Sequence, residues 1–265
     1  MPQRRSVHHA WEHPFVWDQE RYAAVLALFG TGRSDYEIAR ITGVPRSTVL
    51  KWRHSQSAIR PRHRDYSDWR PTNARLYSYV LGLYLGDGHI VVRNNRPSFL
   101  RIYLDEKYPS LVDEAAMSFA NVFNAQVRRY TWGVENRVIL QLSNPALLVA
   151  FPQHGPGRKH DRPIVLTAWQ RELTQVHPGA LVRGLIHSDG CRTINRFTTK
   201  LPSGRTQEYA YPRYFFSNES ADIRAIFCEH AEVLGVRWSQ SNRRNISISD
   251  KKSVAILDEV VGPKR

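Results

Sequence analysis

Cysteine is almost missing. Cys191 and Cys228 are the only two in 265 residues, too few for a disulfide framework or a zinc knuckle, which points to a reducing compartment. The 11 histidines are scattered without a metal-ligand spacing. No stretch approaches the roughly 18 consecutive apolar residues of a membrane span, and Met1-Pro2-Gln3-Arg4-Arg5 lacks the apolar core of a signal peptide. A cytoplasmic protein without membrane contact is therefore expected. Acidic residues are also scarce. They number 24 against 38 Lys and Arg, a formal net charge of +14, so a polyanionic partner is favoured. Charge alone does not separate nucleic acid from a ribosome or an anionic membrane.

What is present is a repeat. Val80-Leu81-Gly82-Leu83-Tyr84-Leu85-Gly86-Asp87-Gly88 is echoed by Val182-Arg183-Gly184-Leu185-Ile186-His187-Ser188-Asp189-Gly190. Both read Gly-Leu-x-x-small-Asp-Gly, a pattern that chance supplies in roughly one chain of this length in a hundred at ordinary glycine usage, and twice far more rarely. Gly82 and Gly86, like Gly184 and Ser188, are four apart, so each pair lies on one helical face and lets a neighbouring backbone approach. Asp87 and Asp189 then fall at matching helix ends. Two carboxylates brought together repel one another and suit a hard divalent cation such as Mg²⁺. Gly88 and Gly190 are expected to end each helix.

These residues resemble the LAGLIDADG (dodecapeptide) homing endonuclease family in its single-chain, two-motif form, over about residues 73–265. The first acid of the family motif is replaced here by Leu85 and His187. The resemblance implies an α+β fold of two pseudo-symmetric αββαββα half-domains forming a β-saddle. It also implies a Mg²⁺-dependent, site-specific double-stranded DNA endonuclease, as in intron homing, working as a monomer with Asp87 and Asp189 as metal-binding catalytic acids. A basic residue usually accompanies them. Lys251 and Lys252 stand at the expected place in the second half, whereas Ser143-Asn144-Pro145-Ala146 offers no lysine in the first, an asymmetry that raises the question of nicking. The alternative, from a different class, is a transcriptional regulator that binds DNA on this fold without cutting it, associated with the nucleoid.

Ahead of the repeat, residues 18–30 carry helical apolar spacing, and Ser34 to Arg53 reads as two helices about a turn at Gly43. This stretch resembles the helix-turn-helix of resolvases and bacterial regulators, which implies DNA contacts from Arg46, Ser47, Thr48 and Lys51. The organisation expected is a basic tail over 1–17, a small all-α helix-turn-helix domain over 18–55 and a basic linker over 56–72. Half-domains follow over 73–152 and 176–265, separated by a linker over 153–175 whose basic side chains suit phosphate. Alternation in Phe99-Leu100-Arg101-Ile102-Tyr103-Leu104 marks a strand with one buried face. Arg101, Arg128, Arg192, Arg196, Lys200, Arg213, Arg237 and Arg244 are the strand-borne cations expected to meet DNA bases or phosphates.

Overall fold

A computed structural model describes residues 19–54, 66–93, 98–132, 136–262 and 264; the expected basic tail over 1–17 and most of the expected linker lie outside them. The chain divides into two units, Met1–Asp65 and Tyr66–Arg265.

In the first unit, α1 (Gln19–Phe29), α2 (Asp35–Thr42) and α3 (Arg46–His54) enclose a small core of Val25, Ile38, Val44 and Val49, with Trp52 packed against it. Ser34 starts α2 through a reciprocal cap. Its side chain accepts from the Glu37 N–H, and the Glu37 carboxylate accepts from the Ser34 N–H at 2.9 Å, which satisfies two otherwise unpaired donors. Gly43 takes φ 68°, the left-handed conformation that lets the chain turn at once into α3. Arg53 Nε donates to Asp35 at 2.7 Å and ties the two helices together.

The second unit repeats one order twice. α4 (Ala74–Asp87), β1 (Gly88–Val91), β2 (Phe99–Asp105), α5 (Pro109–Phe123), β3 (Val127–Trp132), β4 (Arg137–Ser143) and the single turn α6 (Leu147–Ala150) form the first half. After α7 (Ala168–Val176) come α8 (Pro178–Asp189), β5 (Gly190–Lys200), β6 (Thr206–Ser217), α9 (Ala221–Val233), β7 (Ser239–Gln240), β8 (Asn245–Ile248) and α10 (Lys251–Val261). The two four-stranded antiparallel sheets have matching orders, β1-β2-β4-β3 and β5-β6-β8-β7. The α+β duplication expected from the sequence is thus the architecture of this unit.

Alternation decides which sheet face is covered. Leu100, Ile102 and Leu104 stand opposite Leu142, Leu140 and Val138, and all six are buried against helices. Arg101 and Tyr103 point to the other face, beside Gln141 and Ile139. In the second sheet Tyr214 and Phe216 are buried opposite Ile248 and Ile246, leaving Phe215 and Ser217 on the open face.

Two expected linkers are more ordered than their composition suggests. Residues 66–72 belong to the second unit, because Trp69 stacks on Phe123 with ring centroids 5.4 Å apart and meets Trp169 edge-on. The span 153–175 contains most of α7, which packs Trp169 and Leu173 against the core and is also held by a buried polar network. Gln170 Nε2 donates to the Tyr77 hydroxyl at 2.7 Å, Tyr77 donates to the Ala150 carbonyl at 2.6 Å, and Gln153 Nε2 donates to Gln170 Oε1 at 2.6 Å. Each polar atom there finds a partner, which is what makes its burial tolerable.

Candidate functional site

α4 and α8 touch backbone to backbone. A methyl group on Gly82 would lie 2.5 Å from the Leu181 carbonyl oxygen, 2.8 Å from the Leu185 nitrogen and 2.9 Å from the Gly184 Cα. One on Gly184 would lie 3.0 Å from both the Gly82 Cα and the Leu83 nitrogen, and one on Gly86 would meet Ser188 and lie 2.9 Å from Asp189 Oδ2. The small-residue faces therefore meet each other and leave no space for a side chain. Across the same interface Tyr79 and His187 Nδ1 share a hydrogen bond of 3.0 Å.

Gly88 and Gly190 end α4 and α8 and open β1 and β5, as expected, but not by the left-handed geometry usual for such a glycine. Their φ values are −80° and −115°, open to any residue, so no left-handed turn is involved. A methyl on Gly88 would sit 2.6 Å from the Tyr84 Cα and one on Gly190 2.7 Å from the Ile186 Cα. Glycine is needed because the strand leaves the helix so tightly.

This packing sets Asp87 and Asp189 beside each other at the helix ends, both half-buried, in a cleft of about 560 Å³ also lined by Lys159, Asn218 and Arg244. Asn218 Nδ2 donates to Asp189 at 2.6 Å. Lys159 Nζ donates to the carbonyls of Tyr84, of Leu85 at 3.0 Å and of Gly86 at 2.9 Å, capping the negative end of α4. Lys264 Nζ donates to the Gly190 carbonyl at 3.1 Å, just past α8. Burial, then the charge of Asp189, pushes the Asp87 carboxyl up to about 7, against the pull of Lys159 and Lys264. Asp189 is raised by burial and held back by Asn218 and the two lysines. Lys159 is lowered to about 8 by burial, opposed by both acids.

The lysines near the acids are Lys159, which lines the cleft, and Lys264, beside Gly190, and not the expected Lys251 and Lys252. Those two occupy the exposed first turn of α10, behind its Asp250 cap, and neither lines the cleft. Lys159 and Lys264 both bond backbone carbonyls and act on the two carboxylates through their charge. The only sequence signal for Lys159 was the basic stretch of 153–163. Nothing marked Lys264.

The strand-borne cations sort by face. Arg101, Arg128 and Arg213 are on the open faces, in register with Gln141, Gln141 and Thr193. Arg192, Arg196 and Lys200 stand on the opposite face of β5, the one shared with buried Tyr214. Arg192 there makes a two-pronged ion pair with Asp258 of α10, at 2.7 and 2.9 Å. The saddle assignment of these three is thereby corrected; β5 alternates as expected, but the partner strand puts their parity on the helix side. Arg237 and Arg244, expected on strands, lie outside them, just before β7 and β8, and pair with Asp250 at 2.6 Å and Glu219 at 2.7 Å. On α3, Arg46, Ser47 and Lys51 are exposed and Thr48 is half-buried.

Among the described residues no cluster of three or more His, Cys, Asp or Glu could hold a metal. The donor set at the cleft is two carboxylates, which fits a hard divalent cation of the kind that completes its shell with water and phosphate oxygens. No described helix is long and apolar enough to cross a membrane.

No protein-family profile and no curated protein matches the chain. Solved structures do. The homing endonuclease I-DmoI, in a complex with DNA and Mn, is 16% identical, with 72% of this chain and 98% of that one covered at a TM-score of 0.46. The N-terminal LAGLIDADG domain of DUF199/WhiA is 11% identical, covering 72% and 83% at 0.44. The LAGLIDADG meganuclease I-AabMI, bound to uncleaved DNA, is 14% identical, covering 71% and 83% at 0.44. LAGLIDADG homing endonucleases and the LAGLIDADG domain of WhiA are thus among the solved structures similar to this chain.

Proposed function

We propose that the chain is a double-stranded DNA endonuclease in which Asp87 and Asp189 together hold a divalent cation, Mg²⁺ or a similar ion, at the phosphodiester to be cut. The observation that carries this reading is the α4–α8 contact: glycine backbones in contact deliver two carboxylates, partly stripped of water, to one cleft. When bound, such an ion supplies charge neutralisation at phosphorus and an activated water. The chain's own groups do the rest. Asn218 fixes the orientation of Asp189. Lys159 and Lys264, anchored on backbone carbonyls, give the cleft positive charge with which to receive a phosphate. Arg101, Arg128 and Arg213 on the open sheet faces suit base edges or phosphates. In the first unit, α3 with Arg46, Ser47 and Lys51 exposed suits a major groove, as the second helix of a helix-turn-helix.

A second reading, a DNA-binding regulator that does not cut, draws on one observation. Lys159 and Lys264 place two positive charges beside two negative ones, so the acids are balanced without an ion.

The experiment captures fragments of a sheared genomic library on the protein, adds Mg²⁺ and sequences the new ends, with the Asp87→Asn, Asp189→Asn double variant alongside. Recurrent ends within one enriched sequence, absent with the variant, are expected. Enriched fragments that stay intact would overturn cleavage and leave the regulator.

A further inference from the structure

The second sheet is uneven. β5 and β6 pair from Gly190↔Phe216 to Lys200↔Thr206, whereas β8 accompanies β6 only between Tyr214 and Ser217. From the Thr193↔Arg213 pair outward, the two strands run as a ribbon with no third strand beside them among the described residues. At about 3.3 Å per residue, the stretch from Thr193 to Lys200 reaches about 26 Å.

An unsupported two-stranded ribbon is marginal in water. This one carries three stacked rings on the face continuous with the open face of the sheet. Phe197 and Tyr209 lie directly opposite each other, with centroids 5.3 Å apart; Tyr209 and Tyr211 are separated by 5.9 Å and Phe197 and Tyr211 by 6.1 Å. The cluster braces the ribbon, yet Phe197 is 45% and Tyr211 50% exposed. β-Branched pairs would brace a ribbon without presenting π faces to solvent. Cations occur on both faces of the ribbon. Arg213 shares their face, Arg196 and Lys200 stand on the other, and Arg205 is at the turn, against a single acid, Glu208.

We propose that this aromatic face is a stacking platform for unpaired bases, so that DNA lying along the ribbon is held locally opened. The inference rests on the DNA-binding reading above and adds the state of the DNA. Exposed rings with Arg213 on their own face and exposed Arg205 at the turn match an unstacked base on its phosphate chain: the rings take the base face and these two cations take the phosphates. An intact groove offers mainly polar edges and thymine methyls, a poor match for three adjoining rings. Tyr211 pairs with Asn195, six residues beyond Asp189, and Phe197 is eight beyond it. The opened bases therefore lie about 20–26 Å from the acids, or roughly 6–8 base pairs.

The test compares a fluorescein-labelled 30-base-pair duplex of fixed sequence with the same duplex carrying a short internal bubble, by anisotropy at matched salt without divalent ions. The bubble is expected to bind about five-fold tighter or more, the lower end for one stacked base. The Phe197→Val, Tyr209→Val, Tyr211→Val variant, checked for folding by circular dichroism, should lose that preference and keep its duplex affinity. Should the triple variant not fold, Tyr211→Val alone should show a reduced preference. Equal binding of bubble and duplex by the unaltered protein would overturn the inference and leave duplex binding standing, and so would a preference that survives the loss of the rings. Binding of neither DNA would overturn the DNA reading itself.

Discussion

Gly82→Ala tests the central contact with the smallest possible change. The new methyl would meet only backbone: the Leu181 oxygen at 2.5 Å, the Leu185 nitrogen at 2.8 Å and the Gly184 Cα at 2.9 Å. Non-bonded carbon contacts are comfortable near 3.5 Å or beyond, so the helices must part by about 1 Å. No flexible side chain stands in the way that could yield instead. Overpacking of this kind costs about 1–3 kcal/mol, and an all-backbone clash belongs at the upper end, offset by about 1 kcal/mol because alanine favours a helix over glycine. A net loss of about 2 kcal/mol lowers the melting temperature of a unit this size by roughly 4–8 °C. Gly179→Ala in the same α8 is the control. Its methyl would lie 3.2 Å from Val260 Cγ1, with Val260 Cγ2 at 3.6 Å and Leu234 Cδ2 at 3.9 Å, side-chain atoms that can shift, so little change is expected. Thermal unfolding followed by circular dichroism decides the matter. A Gly82→Ala protein that melts with or above the unaltered one would refute backbone contact between the motif helices.

Two further changes address what holds the site in place. Gln170→Leu removes the hub joining Tyr77, Gln153 and the Thr167 N–H; it should cost about 1–3 kcal/mol in urea unfolding by leaving buried groups unpaired, and an unchanged midpoint would show that the network is dispensable. Asp258 accepts from Arg192 and from the Tyr214 hydroxyl, and the Arg192 guanidinium holds its carboxyl below the usual range. A depressed folded pKa means stabilisation that is fully present above the unfolded value near 3.9 and is lost as pH falls through the folded one. Asp258→Asn should therefore lower stability at pH 7, by about 1 kcal/mol or less for so exposed a pair, and the gap from the unaltered protein should close below about pH 4. A gap that does not narrow at all as the pH falls below about 4 would mean that the ion pair is not its source.

The paired helices were legible because close approach leaves its mark in local sequence: four-residue spacing of small residues survives translation into a string, and so does the period of Leu100, Ile102 and Leu104. Burial of polar groups leaves no such mark. α7 shows only Trp169 and Leu173 as an apolar pair, and the positions it buries most deeply, Gln170 and Thr174, are residue types that normally face water. Lys159 looked like one more cation in a basic loop until the chain folded its ammonium onto three carbonyls at the end of α4. The parity of Arg192, Arg196 and Lys200 could be read from β5, but the face could not, since it depends on which residues of β6 stand opposite. The register Arg192↔Tyr214 settles it: Tyr214 is core, and its neighbour across the strand shares its side.

The two acids stand where the fold alone gives them little reason to be. Each ends a helix at its negative pole, an unfavourable place for a carboxylate, and each is stripped of part of its water next to a like charge. Folded pKa values raised above the unfolded ones mean that, above the unfolded pKa, ionisation works against the folded state. Lys159 and Lys264 offset that cost without removing it, as the net upward direction for both carboxyls shows. Asparagine at either position would keep the shape, and at 189 an acceptor for Asn218, while removing the repulsion. The Asp87→Asn, Asp189→Asn protein should therefore melt at or above the unaltered one in chelator at pH 8. A group that makes its own fold less stable is a candidate for function before structure. If the double variant instead loses stability, the lysine–carboxylate cluster is a structural element, and the case for an ion at this cleft falls with it.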